Sequence, residues 1–133
     1  INFLESRGVE LLITVDTGIA SINEIEYASS IGIVTVVTDH HLPQEVLPDA
    51  AAVVDPHRID CNAPFKDICG ATVAFKVICA VDNKMPEELI DSYADLLCVA
   101  TIGDVMPLIN ENRSIVKYGV NSIKLKINEE VNT

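Results

Sequence analysis

The chain has 133 residues, enough for one domain with a sizeable core, and its 49% hydrophobic and 22% charged residues exclude a disordered or low-complexity chain. The net charge of −11, from 20 acidic and 9 basic residues, argues against a purely electrostatic grip on a phosphate backbone, unless some carboxylates hold divalent cations that invert the local field. No apolar run approaches bilayer-spanning length, and residues 1–10, "INFLESRGVE", lack the apolar centre of a signal peptide, so a cytoplasmic location without a membrane partner is expected.

Residues 1–8 read as the end of a helix that feeds a strand at 11–15, "LLITV". That unbroken apolar run suits a strand covered on both faces. Asp16, Thr17 and Gly18 follow at once, and Ser21 and Glu24 have the spacing of a capping box that opens a helix. Ile22, Ile25 and Ser29 fall on one face of it, and Gly32 is a natural stop. A second strand signal, "IVTVV" at 33–37, runs straight into Asp39-His40-His41. Strand, helix and strand in this order favour a parallel pair with a right-handed crossover.

A third short run, "AAVVD" at 51–55, ends in Asp55-Pro56, and the link from 38 to 50 is long enough for another parallel connection. Residues 56–69 read as irregular. "GATVAFKVICAV" from Gly70 is apolar nearly all round, the pattern of a buried helix. Pro86 suits a first helical position, with Glu87 and Glu88 at the positive end of the dipole. Leu89, Tyr93, Leu96, Leu97 and Ala100 mark its inward stripe. A last helix is expected over 112–127, with Val116, Val120, Ile123 and Ile127 on one face. Arg113, Lys117, Lys124 and Lys126 make this the one basic stretch of the chain. It reads as a solvated helix face or as a phosphate-docking surface.

Four cysteines at 61, 69, 79 and 98 form no CxxC pair, so reduced packing residues are expected rather than zinc ligands. The polar residues at the strand ends are more telling. In open parallel sheets, ligands gather beyond the carboxyl ends of the strands. Asp16 ends the first strand and Asp39-His40-His41 the second, so these groups can converge. Either aspartate alone is also an ordinary turn former, but two adjacent imidazoles serve neither capping nor packing. Carboxylate oxygens with imidazole suit Mn²⁺ or Mg²⁺. Asp104 closes a helix against an unfavourable dipole, which a cation would offset. His57 and Arg58, in "DPHR", read either as a simple turn or as a phosphate contact.

Four blocks in order, "LLITVDTGI", "VVTDHHLP", "LPDAAAVVDPHRIDCNAPFKDICGATVAFK" and "TIGDVMPLINENRSIVKYGV", closely resemble the DHH phosphoesterase family, in particular its RecJ-type branch of exonucleases specific for single-stranded DNA. The resemblance implies a Rossmann-like, three-layer α/β fold with a mostly parallel sheet and helices on both faces. It implies a two-metal phosphodiesterase using Mn²⁺ or Mg²⁺ and degrading single-stranded DNA from the 5′ end in repair and recombination. By match to the family's motifs, Asp16 would bridge the ions, and His40 and Asp104 would ligate one of them. Asp39 and His41 would be the catalytic pair, the first supporting the site and the second beside the scissile phosphate. His57, Arg58 and Gly70 are the candidate substrate contacts.

The family's first motif, an Asp-x-Asp-Gly strand end, is absent, and so is its second domain. Residues 1–133 are therefore expected to be a partial DHH domain, with 112–127 leading toward the absent domain. Such a segment would have little or no activity alone and could dimerise through an exposed sheet edge. Two rival readings share the Asp and Asp-His-His residues. One is a phosphodiesterase for oligonucleotides or cyclic dinucleotides, or a pyrophosphatase; the other is a non-catalytic replication scaffold.

Overall fold

The computed structural model describes the backbone of residues 1–131 and side chains through residue 127. The chain divides into two compact units, Ile1–Lys66 and Asp67 onward.

The first unit is built on three parallel strands in the order β1-β2-β3: β1 (Leu11–Val15), β2 (Val34–Thr38) and β3 (Ala52–Val54). A one-turn helix, α1 (Asn2–Glu5), precedes β1, and α2 (Ile22–Ser30) connects β1 to β2. Val15 pairs with Thr38, and Thr38 with Val54. The three strands therefore finish level, and the residue after each stands at one edge of the sheet.

Helix α2 packs on β2, burying Ile25 and Ala28 together with Thr35 and Val37 of the strand. Its capping differs from the expected box. Ser21 stands at the N-cap with φ −89° and ψ 50°, and its side chain makes no capping hydrogen bond. The backbone N–H of Ser21 instead donates to Gly18 O at 3.0 Å. The stop is as expected: Gly32, at φ +84°, donates to Ser29 O, and Ile33 to Ala28 O, the paired closure that a left-handed residue permits.

Strand β1 is not enclosed on both faces. Leu11, Ile13 and Val15 alternate at about half exposure, as does Val34 beside Leu11. An unbroken apolar run marks a strand; it does not say that both faces are covered.

The second unit is helical: α3 (Gly70–Asp82), α4 (Pro86–Gly103) and α5 (Asn110–Val131). Phe75, Cys79, Leu97 and Ile115 form its core, with Ala71, Leu89, Ile90 and Tyr93 packed against them. All four cysteines are free, and Cys69, Cys79 and Cys98 are buried as small apolar groups. Leu96, expected on the inward stripe of α4, is instead 64% exposed. A step of one residue from Leu97 turns it about 100° away. Val116, Val120 and Ile123 of α5 are half-buried, while Arg113, Lys117 and Lys124 are exposed. Lys126 pairs with Asp95 of α4 at 2.5 Å. Among the described residues, no helix is long and apolar enough to cross a membrane.

Gly119 sets how closely α4 and α5 approach. A Cβ there would overlap the Ala94 carbonyl oxygen and the Cys98 Cβ. Helix propensity alone would make Gly119→Ala stabilising by about 1 kcal/mol. The overlap reverses the sign: we expect a net loss of about 1–3 kcal/mol by urea unfolding, and an unchanged or raised midpoint would contradict this packing.

Candidate metal centre

The site grows from the level ends of the strands. Asp16 follows β1, Asp39 follows β2 and Asp55 follows β3. The ladder continues one residue past the strands: Asp16 N–H donates to Thr38 O, and Asp39 N–H donates to Val54 O, both at 3.0 Å. Three carboxylates thus stand side by side where like charges repel. Each occupies a different environment.

Asp39 is 1% exposed, and its carboxylate accepts from several donors. Oδ2 takes the Ile19 N–H at 2.9 Å, and Oδ1 takes the His40 N–H at 2.8 Å and the His41 N–H at 3.3 Å. Oδ1 also lies 2.6 Å from His41 Nδ1. Burial pushes this carboxyl up, but the Ile19 amide, the His41 ring and the His40 and His41 amides together hold it below its ordinary value. It is an ionised anchor that fixes the backbone of both histidines and the ring of one.

Asp16 is reached through a turn that only particular residues allow. Its φ is +62°, a left-handed conformation in which aspartate is several-fold enriched over most side chains. Two residues on, Gly18 has φ +113°, and a Cβ there would lie 2.6 Å from Thr14 Oγ1 and 3.2 Å from Val37 Cγ1. The turn therefore presses onto the sheet and returns the Asp16 side chain to His40, with Oδ1 2.9 Å from Nε2.

Asp16, His40 and His41 each offer a ligand atom within 4.8 Å of the others. Two imidazoles and a carboxylate form a donor set suited to Mn²⁺ and similar ions, and a histidine that ligates a metal usually has its other ring nitrogen held by a carboxylate or carbonyl, as Asp39 holds His41. The residues present fit a divalent cation. The sequence reading gave His41 a place beside the phosphate; the geometry also groups it with the ligands.

Asp104 lies in the second unit, as the C-cap of α4, with its N–H donating to Ala100 O at 2.9 Å. The next residue, Val105, has φ +54°, a strained conformation for a β-branched side chain and the kind found at functional sites. Gly70 is buried as the first residue of α3. Arg58 is engaged locally: its guanidinium pairs with the Asp60 carboxylate (2.6 and 2.9 Å) and also donates to Val53 O.

Asp55 escaped the sequence reading because Asp-Pro after a strand is an ordinary turn signal. The side chain is fully buried. Its Oδ1 accepts the His57 N–H at 2.7 Å, while Oδ2 is buried without a hydrogen-bond partner among the described residues. Burial pushes this carboxyl up, as does the charge of Asp39, against the opposing pull of the His57 amide and ring. The detectable signal was the repeated pattern of an aspartate one residue past each of three β-branched runs.

A profile described as the DHH family, N-terminal domain, matches residues 2–101. The chain belongs to the DHH family. Among DHH-family relatives, it is 41% identical over 121 residues to the single-stranded-DNA-specific exonuclease RecJ of Bacillus subtilis, covering 91% of this chain and 15% of that protein. It is 38% identical over 130 residues to the RecJ of Escherichia coli, covering 90% and 22%. A crystal structure of exonuclease RecJ bound to manganese superposes with a TM-score of 0.71 at 32% identity, over 91% of this chain and 31% of that one. RecJ of Thermus thermophilus in complex with Mn²⁺ gives the same TM-score at 35% identity, over 90% and 18%. The chain therefore spans between 15% and 31% of the length of these relatives, and the α/β fold with its parallel sheet is theirs.

Asp39 yields a test of the anchor. A carboxyl held below its ordinary value of 3.8 stabilises the fold above that value, and the contribution is lost as pH falls through the lower folded value. Without metal, Asp39→Asn should cost roughly 2 kcal/mol at neutral pH. The gap between wild-type and variant urea midpoints should then hold constant from neutral pH down to about pH 5 and close as pH falls below 3.8. A gap that is constant or widens in acid would contradict the assignment.

Proposed function

We propose that this chain is the metal-holding segment of a manganese-dependent hydrolase that degrades single-stranded DNA from the 5′ end. The observation that carries this reading is the convergence of Asp16, His40 and His41 at adjacent strand ends, with Asp39 holding the histidines from behind. The RecJ relatives supply the substrate class and the metal, since their names and structures join single-stranded DNA to Mn²⁺.

Within this reading each residue has a task. Asp16 and His40 would hold a cation, and by match to the family's motifs Asp104 would be a further carboxylate ligand. His41, its Nδ1 edge held by Asp39, presents the far edge of its ring to the scissile phosphate. Asp39 stays ionised and keeps both rings in register. His57 and Gly70 remain the candidate contacts that the resemblance implies, and Arg58 braces the turn that carries His57. Bound cations would lower the pKa of the attacking water and offset charge on the phosphate oxygens. They also resolve the −11 net charge, because carboxylates that hold cations present a positive face to DNA.

The experiment uses the full-length protein that contains this chain, with single strands labelled at either end and Mn²⁺ as the added metal. We expect nucleotides to be released from the 5′ end, and Asp16→Ala or His40→Ala to lower turnover by at least about a hundredfold. Unimpaired variants would overturn the reading, as would a wild-type protein that hydrolyses pyrophosphate or cyclic dinucleotides and leaves long strands intact.

A further inference from the structure

The third strand-end carboxylate has no place in the metal centre as described. Asp16, His40 and His41 are the residues whose donor atoms group together, and Asp55 is not among them. Yet the Asp55 side chain, like that of Asp39, is removed from solvent. A turn at the surface is made by Asp, Asn or Ser without desolvation, whereas a buried carboxylate with one oxygen unpartnered is costly to keep.

The turn it heads is held at several points. Pro56 is buried and fixes its own φ. Arg58 binds back to Val53 O and to Asp60. Lys66 Nζ reaches Arg58 O at 3.4 Å, and the Cys61 N–H donates to the same oxygen at 3.1 Å. His57 rides on this turn, its backbone N–H on Asp55 Oδ1 and its ring Nδ1 3.8 Å from that oxygen. The turn also begins beside the centre: Val54 O accepts the Asp39 N–H, and Asp55 is the next residue. Asp55 lies close enough to Asp39 and His40 to feel the charge of both.

We propose that Asp55 is a positioning residue that holds His57 as an imidazole contact for a phosphate oxygen of the nucleic-acid strand next to the metal centre. Oδ1 does this through the His57 N–H, which fixes the backbone that carries the ring, so that the Nε2–H tautomer of the imidazole can donate to an anionic oxygen. The oxygen's position matters, not its charge, so asparagine should substitute. The inference rests on the phosphodiesterase reading of the site and adds to it a residue outside the ligand set.

The test uses the full-length protein with Asp55→Ala, Asp55→Asn, His57→Ala and the Asp55→Ala/His57→Ala double variant. For a single-stranded DNA substrate, Asp55→Ala should raise KM about tenfold with little change in kcat, and Asp55→Asn should restore it. The double variant should be no worse than His57→Ala alone, since both remove one contact. Mn²⁺ affinity by calorimetry should be unchanged throughout. Multiplying effects in the double variant, an asparagine variant as impaired as alanine, or a loss of Mn²⁺ affinity in Asp55→Ala would each overturn the proposal. A second readout does not depend on turnover: the His57 ring resonances in ¹H–¹³C spectra should shift in Asp55→Ala and stay in place in Asp55→Asn. Unmoved resonances in Asp55→Ala sink the positioning role, whereas a wild-type protein inert toward DNA sinks the functional reading and leaves the ring measurement standing.

Discussion

Everything at the site depends on one buried carboxylate. Asp39 is removed from water at the end of β2, where burial alone would favour its neutral form. It remains ionised because the chain folds three amides and an imidazole around it. Those donors come from both directions: Ile19 from the turn after β1, and His40 and His41 from the residues just beyond. One anion thereby sets the path of the β1–α2 turn and the placement of both histidines. Such a group is expensive unless fully satisfied, and when satisfied it specifies a single arrangement.

The parallel register turns this local anchor into a centre. Because the three strands end level, carboxylates one residue past each of them fall into a row. The protein resolves the crowding by giving each member a different environment: exposed and facing His40, buried and saturated with donors, or buried and half-satisfied. A cation is the natural fourth party to such a row, since it removes repulsion that hydrogen bonds only reduce. The left-handed conformation of Asp16 and the crowded Gly18 are the backbone features that bring the first of these carboxylates into reach of the imidazole.

Much of this was legible in the sequence because β-branched runs ending in Asp or Asp-His-His are both a strand signal and a chemical one. The parallel order, the buried helix from Gly70 and the stop at Gly32 followed from periodicity and glycine placement. Other features depend on tertiary detail that periodicity does not encode. Ser21 and Glu24 have the spacing of a capping box, but the tight turn at Gly18 gives the Ser21 amide a backbone partner instead. Leu96 and Leu97 are equal candidates for the core until packing selects one. Asp55 looked like half of a turn dipeptide, and only strand register aligns it with Asp16 and Asp39. Arg58 looked available for phosphate until its neighbour Asp60 was seen to occupy it.

The most direct test of the account is where manganese lodges. Crystals soaked in Mn²⁺ and measured near the metal's absorption edge should show an anomalous peak at bonding distance from both Asp16 Oδ1 and His40 Nε2, with Asp39 behind His41 and outside the coordination sphere. A peak bound directly by Asp39, or no peak within reach of Asp16 and His40, would contradict the central claim.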